Sequence, residues 1–270
     1  MGKVILILSD GLRYDTALAS MGYLGHLVEE KLASLYKVTG ELPSVSRPMY
    51  ETIHTGLRVS EHGIVSNLIV RRSTKPNVFQ SAVHAGKVTA AAAYWWFSEL
   101  YNRAPYDKIM DREVDDDSLL IQHGRFYTQD EYPDVDLFAT AGMLVRRFRP
   151  DYLLVHPMGM DYLGATFGAD SPEYRTQAIH QDLWLASYIT EWLSAGYHVL
   201  LTSDHGMSAD GHHGGTTPEE RDVPLFVIRP DTPGKGDTKQ VVSQLQIAPT
   251  LCRLLGVPIP PTMKHPPLVD

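Results

Sequence analysis

The stretch Lys3-Val4-Ile5-Leu6-Ile7-Leu8-Ser9-Asp10-Gly11 decides the fold. Its five consecutive aliphatic residues, three of them β-branched, leave no polar face for a surface helix and read as a strand buried on both sides. Asp10 ends that strand. Ligands of open α/β sheets gather outside the carboxyl ends of the strands, so Asp10 is delivered to the edge where chemistry is expected. Taken alone, the motif also fits an Asp capping the next helix, with Gly11 as turn residue. The construction recurs, however. Asp151-Tyr152-Leu153-Leu154-Val155-His156 is followed closely by Asp161, and Tyr197-His198-Val199-Leu200-Leu201-Thr202-Ser203 runs into Asp204-His205-Gly206. Three buried strands thus end in residues of metal-ligand type.

Working outward, helical spacing runs from Ala17 to Leu32, a second strand is expected at Leu35 to Val38, and Val78 to Ala85 reads as a helix. Pro43-Ser44-Val45-Ser46-Arg47-Pro48 leads into a helix ending at Gly56, with Ser44 or Ser46 near the N-cap and Pro48 in the first turn. A hydroxyl at such a start lies among free N–H groups that favour bound phosphate or sulfate. Lys87 to Ala93 reads as a strand of small residues, followed by the aromatic run Tyr94-Trp95-Trp96-Phe97 and Tyr101, of which at least half is expected to be core. From Asp107 to Tyr132 the pattern turns irregular and acidic, with Asp115-Asp116-Asp117, and the segment around 94–132 is expected to be an insertion over one face that sets substrate selectivity. Alternation then resumes: helix Val135 to Phe148, strand to Val155, helix Pro172 to Leu193, strand to Ser203, strand Val223 to Ile228 and helix Val242 to Leu255. Pro258 to Pro267 is expected to lie extended on the surface. The pattern predicts an α/β fold, a three-layer α/β/α sandwich with a mostly parallel central sheet, in one domain over residues 1–270.

Composition sets the outer limits. With 43% hydrophobic and 21% charged residues the chain is ordinary for a globular protein, and a net charge of -8 without a Lys/Arg run argues against a nucleic-acid polymer as partner. The single cysteine, Cys252, excludes an internal disulfide framework and fits a reducing compartment. No apolar run reaches membrane-spanning length, and the N-terminal stretch lacks a cleavage site, so a cytoplasmic protein without membrane partners is expected.

Carboxylates and imidazoles at strand ends suit two divalent cations, which would clamp the attacking and leaving oxygens of a phosphoryl displacement. A serine hydroxyl is a poor nucleophile until a base or a cation activates it, and Ser46 fits that role without a Ser-His-Asp triad. The chain resembles the alkaline phosphatase superfamily, most closely its nucleotide pyrophosphatase/phosphodiesterase branch, nearly end to end. The motifs that carry the resemblance are Asp10 after the first strand, the Ser46 block through Thr55-Gly56, His62-Gly63-Ile64-Val65-Ser66-Asn67, Asp161-Tyr162-Leu163-Gly164-Ala165-Thr166-Phe167-Gly168, Thr202-Ser203-Asp204-His205-Gly206-Met207, and His212-His213-Gly214-Gly215.

The resemblance implies an alkaline-phosphatase-like fold and a phosphoseryl intermediate on Ser46. It places one cation on Asp10, Ser46, Asp204 and His205, and the other on Asp161 and His213. Asn67 and the backbone amide of Arg47 would hold the equatorial oxygens. Ala165 departs from the family, which has a metal-binding His there. Either His156 or His212 replaces that imidazole, or water and substrate complete the shell, or the site is weak. His156 is preferred, against a reading in which it is a hydrogen-bonded core histidine. The Arg47 side chain reads either as a bidentate phosphate contact or as a solvent-facing residue. Sulfatases with an oxidised Cys or Ser are disfavoured, because Ser46-Arg47-Pro48-Met49-Tyr50 lacks the Ser-Arg pair of their modification motif. The expected activity is metal-dependent hydrolysis of a small phosphodiester or nucleotide pyrophosphate, with zinc, manganese or magnesium. The alternatives are a phosphomonoesterase, a phosphonate hydrolase, or a pseudoenzyme that binds a phosphorylated ligand.

Overall fold

The computed structural model describes residues 2–269. Its nine strands are β1 (Lys3–Leu8), β2 (Ala33–Thr39), β3 (Thr89–Tyr94), β4 (Glu113–Asp115), β5 (His123–Tyr127), β6 (Tyr152–Val155), β7 (Tyr197–Thr202), β8 (Asp222–Ile228) and β9 (Gly236–Ser243). They form one sheet in the order β4-β5-β3-β6-β1-β7-β8-β2-β9, in which only β4 and β8 run against the rest. The opening strand sits in the middle. Val4 lies opposite Tyr152 of β6 on one side and His198 of β7 on the other, both parallel.

Alternate residues of the central strands feed two separate cores, as period-2 side-chain direction requires. Ile5, Ile7, Leu153, Val155, Val199 and Leu201 face helices 134–148 and 172–194 on one side. Val4, Leu6, Leu8, Tyr152, Leu154 and Leu200 face helices 46–55, 78–84 and 247–255 on the other. The three-layer arrangement expected from the alternating pattern is therefore present.

Several elements differ from expectation for local reasons, among them the last helix, which begins at Ile247 because Val242 and Ser243 belong to β9. The helical run to Leu32 breaks at Met21, whose ψ of 78° ends one helix and starts the next. Helix 46–55 has Val45 as its N-cap, without a side-chain cap bond, because Ser46 is already helical and Ser44 Oγ donates to Gly215 O. β9 has polar residues along an exposed sheet edge and carries no alternation to read. The 94–132 segment is not laid over one face: its β5 pairs in parallel with β3, and β4 closes that edge of the sheet.

Candidate metal centre and nucleophile

Three adjacent parallel strands, β6, β1 and β7, end side by side and hand over His156, Asp10 and the Asp204-His205 pair. The turn after β1 is stapled to the turn after β7. Gly11 N–H donates to Asp204 Oδ1 at 3.2 Å and Leu12 N–H to Ser203 Oγ at 2.9 Å. Gly11 adopts φ +74°, and a Cβ there would lie 2.9 Å from the Asp161 Cα, so a side chain would push apart the two ligand-bearing segments. Gly56, left-handed at φ 63°, stops the nucleophile helix.

Two overlapping clusters result. Asp10, Asp204 and His205 offer ligand atoms within 4.8 Å of one another, and so do Asp161, His205 and His213. His205 Nε2 stands 3.3 Å from Asp10 Oδ1, 3.3 Å from Asp204 Oδ2 and 3.2 Å from Ser46 Oγ. His213 Nε2 lies 3.6 Å from Asp161 Oδ1, and the His205 and His213 rings stack with centroids 3.9 Å apart.

The outer nitrogens fix the tautomers. His205 Nδ1 donates to Gly206 O at 2.8 Å and His213 Nδ1 to Ser44 O at 3.2 Å, so both Nε2 lone pairs point inward. Ser46 and His205 are not part of a Ser-His-Asp triad, because a backbone carbonyl and not a carboxylate holds His205 Nδ1.

The donor set fits divalent cations by a test internal to the structure. Asp10 Oδ1, Asp161 Oδ1 and Asp204 Oδ2 are buried without a hydrogen-bond partner. Burial pushes Asp10 up to about 7, with Asp204 adding to the rise, and pushes Asp204 up to about 7, with Asp161 adding. Burial likewise raises Asp161 to about 6, and it lowers His205, with His213 lowering it further. The raised carboxylates and the lowered His205 both reflect a buried cluster short of positive charge, which zinc or manganese would supply.

Ser46 opens the helix with its Oγ on His205, and the neighbouring Arg47 N–H donates to Asn67 Oδ1 at 2.9 Å, which brings Asn67 to the same helix start. Tyr50, one turn after Ser46, donates its hydroxyl to Asp10 Oδ2. Sequence reasoning passed over Tyr50; its i,i+4 spacing from Ser46 was the signal available.

Three expectations need correction. His156 joins neither cluster: its Nε2 lies 3.2 Å from Asp10 Oδ2 and its Nδ1 3.1 Å from Tyr127 OH, so it is spent on holding Asp10. Burial lowers His156 to about 3 and keeps it neutral. His212 is exposed and joins neither cluster. Arg47 is neither solvent-facing nor aimed at Ser46. Its buried guanidinium pairs with Glu99 at 2.8 Å, donates to Ile69 O at 2.9 Å and lies over Trp96 at 4.5 Å. Ala165 is exposed one turn after Asp161, and among the described residues no other His, Cys, Asp or Glu joins the second cluster.

Residues 4–213 match the family described as type I phosphodiesterase / nucleotide pyrophosphatase, and residues 194–257 match the sulfatase family. The catalytic subunit of human GPI ethanolamine phosphate transferase 2 is 28% identical over 275 residues, covering 96% of this chain and 27% of that protein. The catalytic subunit of human GPI ethanolamine phosphate transferase 3 is 25% identical over 289 residues, covering 96% and 25%. The chain thus spans about a quarter of the length of these curated relatives. An inactive variant of murine ectonucleotide pyrophosphatase / phosphodiesterase 5, in complex with AMP, superposes with a TM-score of 0.75 at 16% identity, covering 97% of this chain and 96% of that one. A phosphonate monoester hydrolase from Silicibacter pomeroyi gives 0.65 at 15% identity, covering 99% and 76%. The fold is that of the alkaline phosphatase superfamily. With residues 4–213 inside the family match, this chain belongs to the type I phosphodiesterase / nucleotide pyrophosphatase family, enzymes that act on phosphoric ester bonds.

Proposed function

We propose that this chain moves a phosphoryl-type group from a phosphoric diester onto Ser46 and then onto water. The observation that carries the reading is the meeting of Ser46 Oγ with His205 Nε2 at 3.2 Å, beside the unpartnered oxygens of Asp10 and Asp204. Asp10, Ser46, Asp204 and His205 would hold one divalent cation, zinc or manganese by donor type, and Asp161 with His213 would hold the other. Such cations, when bound, neutralise the phosphate and lower the pKa of the hydroxyl attached to them.

In the first step the Ser46 O–P bond forms, the ester P–O bond breaks, and the seryl proton leaves with the departing alcohol. Water then cleaves the Ser46 ester and regenerates the hydroxyl. The helix start directs the Arg47 N–H toward an equatorial oxygen, which takes the place of Asn67 Oδ1 as acceptor and leaves the Asn67 amide NH2 as a second donor.

A second reading is favoured by the activity for which the curated relatives are named, ethanolamine phosphate transfer. In it, an alcohol takes the place of water in the second step and carries the group away. Turnover of bis-p-nitrophenyl phosphate and p-nitrophenyl phosphate with zinc or manganese tests the first reading, and partitioning of the group into an added amino alcohol tests the second. Faster cleavage of the diester and its loss in Ser46→Ala are expected. Full turnover in Ser46→Ala would refute the nucleophile, and no turnover of either ester by zinc-loaded protein would leave a phosphate-binding pseudoenzyme.

A further inference from the structure

Asp134 is a buried carboxylate outside the metal centre, and it opens helix 134–148. Its Oδ2 accepts from Gln177 Nε2 at 2.7 Å and from Gln181 Nε2 at 2.7 Å, and its Oδ1 accepts from Gly159 N–H at 3.2 Å. Gly159 opens helix 159–167, two residues before Asp161. A Cβ at 159 would fall 2.5 Å from Asp134 Oδ2 and 2.3 Å from Gln177 Nε2, so the backbone there is pressed into the carboxylate. On the far side, Gln181 Oε1 accepts from Ser9 Oγ at 2.8 Å, and Ser9 directly precedes Asp10. Both Ser9 and Gln181 are fully buried.

An unbroken run of hydrogen bonds therefore goes Ser9, Gln181, Asp134, Gly159. It connects the strand end that carries Asp10 with the helix start that carries Asp161. Three donors converge on Asp134 and meet both of its oxygens, whereas an amide in its place turns an N–H2 toward another donor. The Gly159 N–H at the start of helix 159–167 and the two glutamine amides meet the carboxylate, which lets it stay buried without a cation.

We propose that Asp134, held by Gln177 and Gln181, is a positioning residue that sets where Asp161 stands relative to Asp10 and so tunes the second cation site. The proposal rests on the two-cation reading given above. Partners that orient ligands from behind typically change metal affinity by roughly 10–100-fold when removed. A purely structural role would lower stability and leave the ratio between the two affinities untouched.

The test is calorimetric titration of the full chain with zinc alone. Asp161→Ala identifies the step that belongs to the second site. Asp134→Asn is expected to weaken that step by about tenfold or more while the other step stays within about threefold. Gln177→Ala, a milder change at a half-buried residue, is expected to shift the same step in the same direction by less, and it serves where Asp134→Asn does not fold. Asp182→Asn is the control. That carboxylate is also buried and accepts from the Tyr23 and Leu24 N–H groups at 2.6 and 3.0 Å, so its loss costs stability without moving either step. Two-step binding unchanged in both Asp134→Asn and Gln177→Ala, or both steps weakened equally, overturns the positioning role alone. Wild-type protein that takes up no zinc overturns the two-cation reading and this proposal with it.

Discussion

The chain buries two sets of carboxylates, and they are treated in opposite ways. Asp134 and Glu51 have a donor on each oxygen: Asp134 accepts from Gln177, Gln181 and Gly159, and Glu51 accepts from Ser73 Oγ at 2.5 Å and Tyr101 OH at 3.0 Å. Asp10, Asp161 and Asp204 each keep one buried oxygen with no donor, and those oxygens face each other across His205 and His213. A carboxylate met on both oxygens ties together the segments that supply its donors. One with an unmet oxygen, beside others of its kind, destabilises the fold unless a cation arrives. The difference separates scaffold from site without reference to any relative.

Exchanging a carboxylate for an amide probes that contrast most strongly. Zinc is expected to raise the melting temperature of the wild type, and Asp204→Asn is expected to abolish that rise and to reduce phosphodiester turnover by about a thousandfold or more. Without metal, the same variant is expected to be more stable than wild type by about 1–3 kcal/mol at pH 8, because an unpaired buried charge is gone. Asp134→Asn reverses the sign, losing about 1–3 kcal/mol, because a met acceptor is removed. Urea unfolding of both metal-free variants reads the two signs, and equal signs would erase the distinction.

Glu51 sharpens the donor-met side through pH. Burial pushes it up to about 7 from an ordinary value near 4.5, despite its two hydrogen bonds. The folded chain therefore holds a proton that the unfolded chain has released between those values, so stability falls as pH rises through this window. The loss is complete above about 7 and amounts to about 3 kcal/mol. Glu51→Gln is expected to flatten that slope, with wild type and variant converging below pH 4.5. Parallel curves in urea unfolding from pH 4.5 to 8 would show that the burial penalty is met elsewhere.

Smaller effects are expected behind the ligands. His156→Ala removes one contact from Asp10 Oδ2 while Tyr50 keeps the other, and is expected to weaken zinc by roughly 10–100-fold at one step of a titration. Ala165→His places an imidazole four residues after Asp161, on the same face of helix 159–167, and is expected to tighten the other step by about tenfold. An unchanged second step would mean that position 165 points away from the cluster.

The central fold was legible because β1, β6 and β7 are too apolar to be anything but doubly buried strands, and each ends in a ligand-type residue. The grouping of Asp10, Asp204 and His205 followed from that placement. β9 and the β4–β5 edge were not legible, since edge strands need only backbone pairing and carry no hydrophobic period. The fate of Arg47 depended on Glu99 and Trp96, about fifty residues away in sequence, and no local pattern reports such a pairing. The same holds for Ser9, Gln181 and Asp134, ordinary residues in sequence that meet only through the packing of helices 134–148 and 172–194.

The most direct test of the account is a zinc-soaked crystal examined by anomalous scattering at the metal edge. Two peaks are predicted: one among Asp10, Ser46, Asp204 and His205, the other between Asp161 and His213. Zinc absent from both positions at saturating concentration, with the three unpartnered oxygens still facing one another, would contradict it.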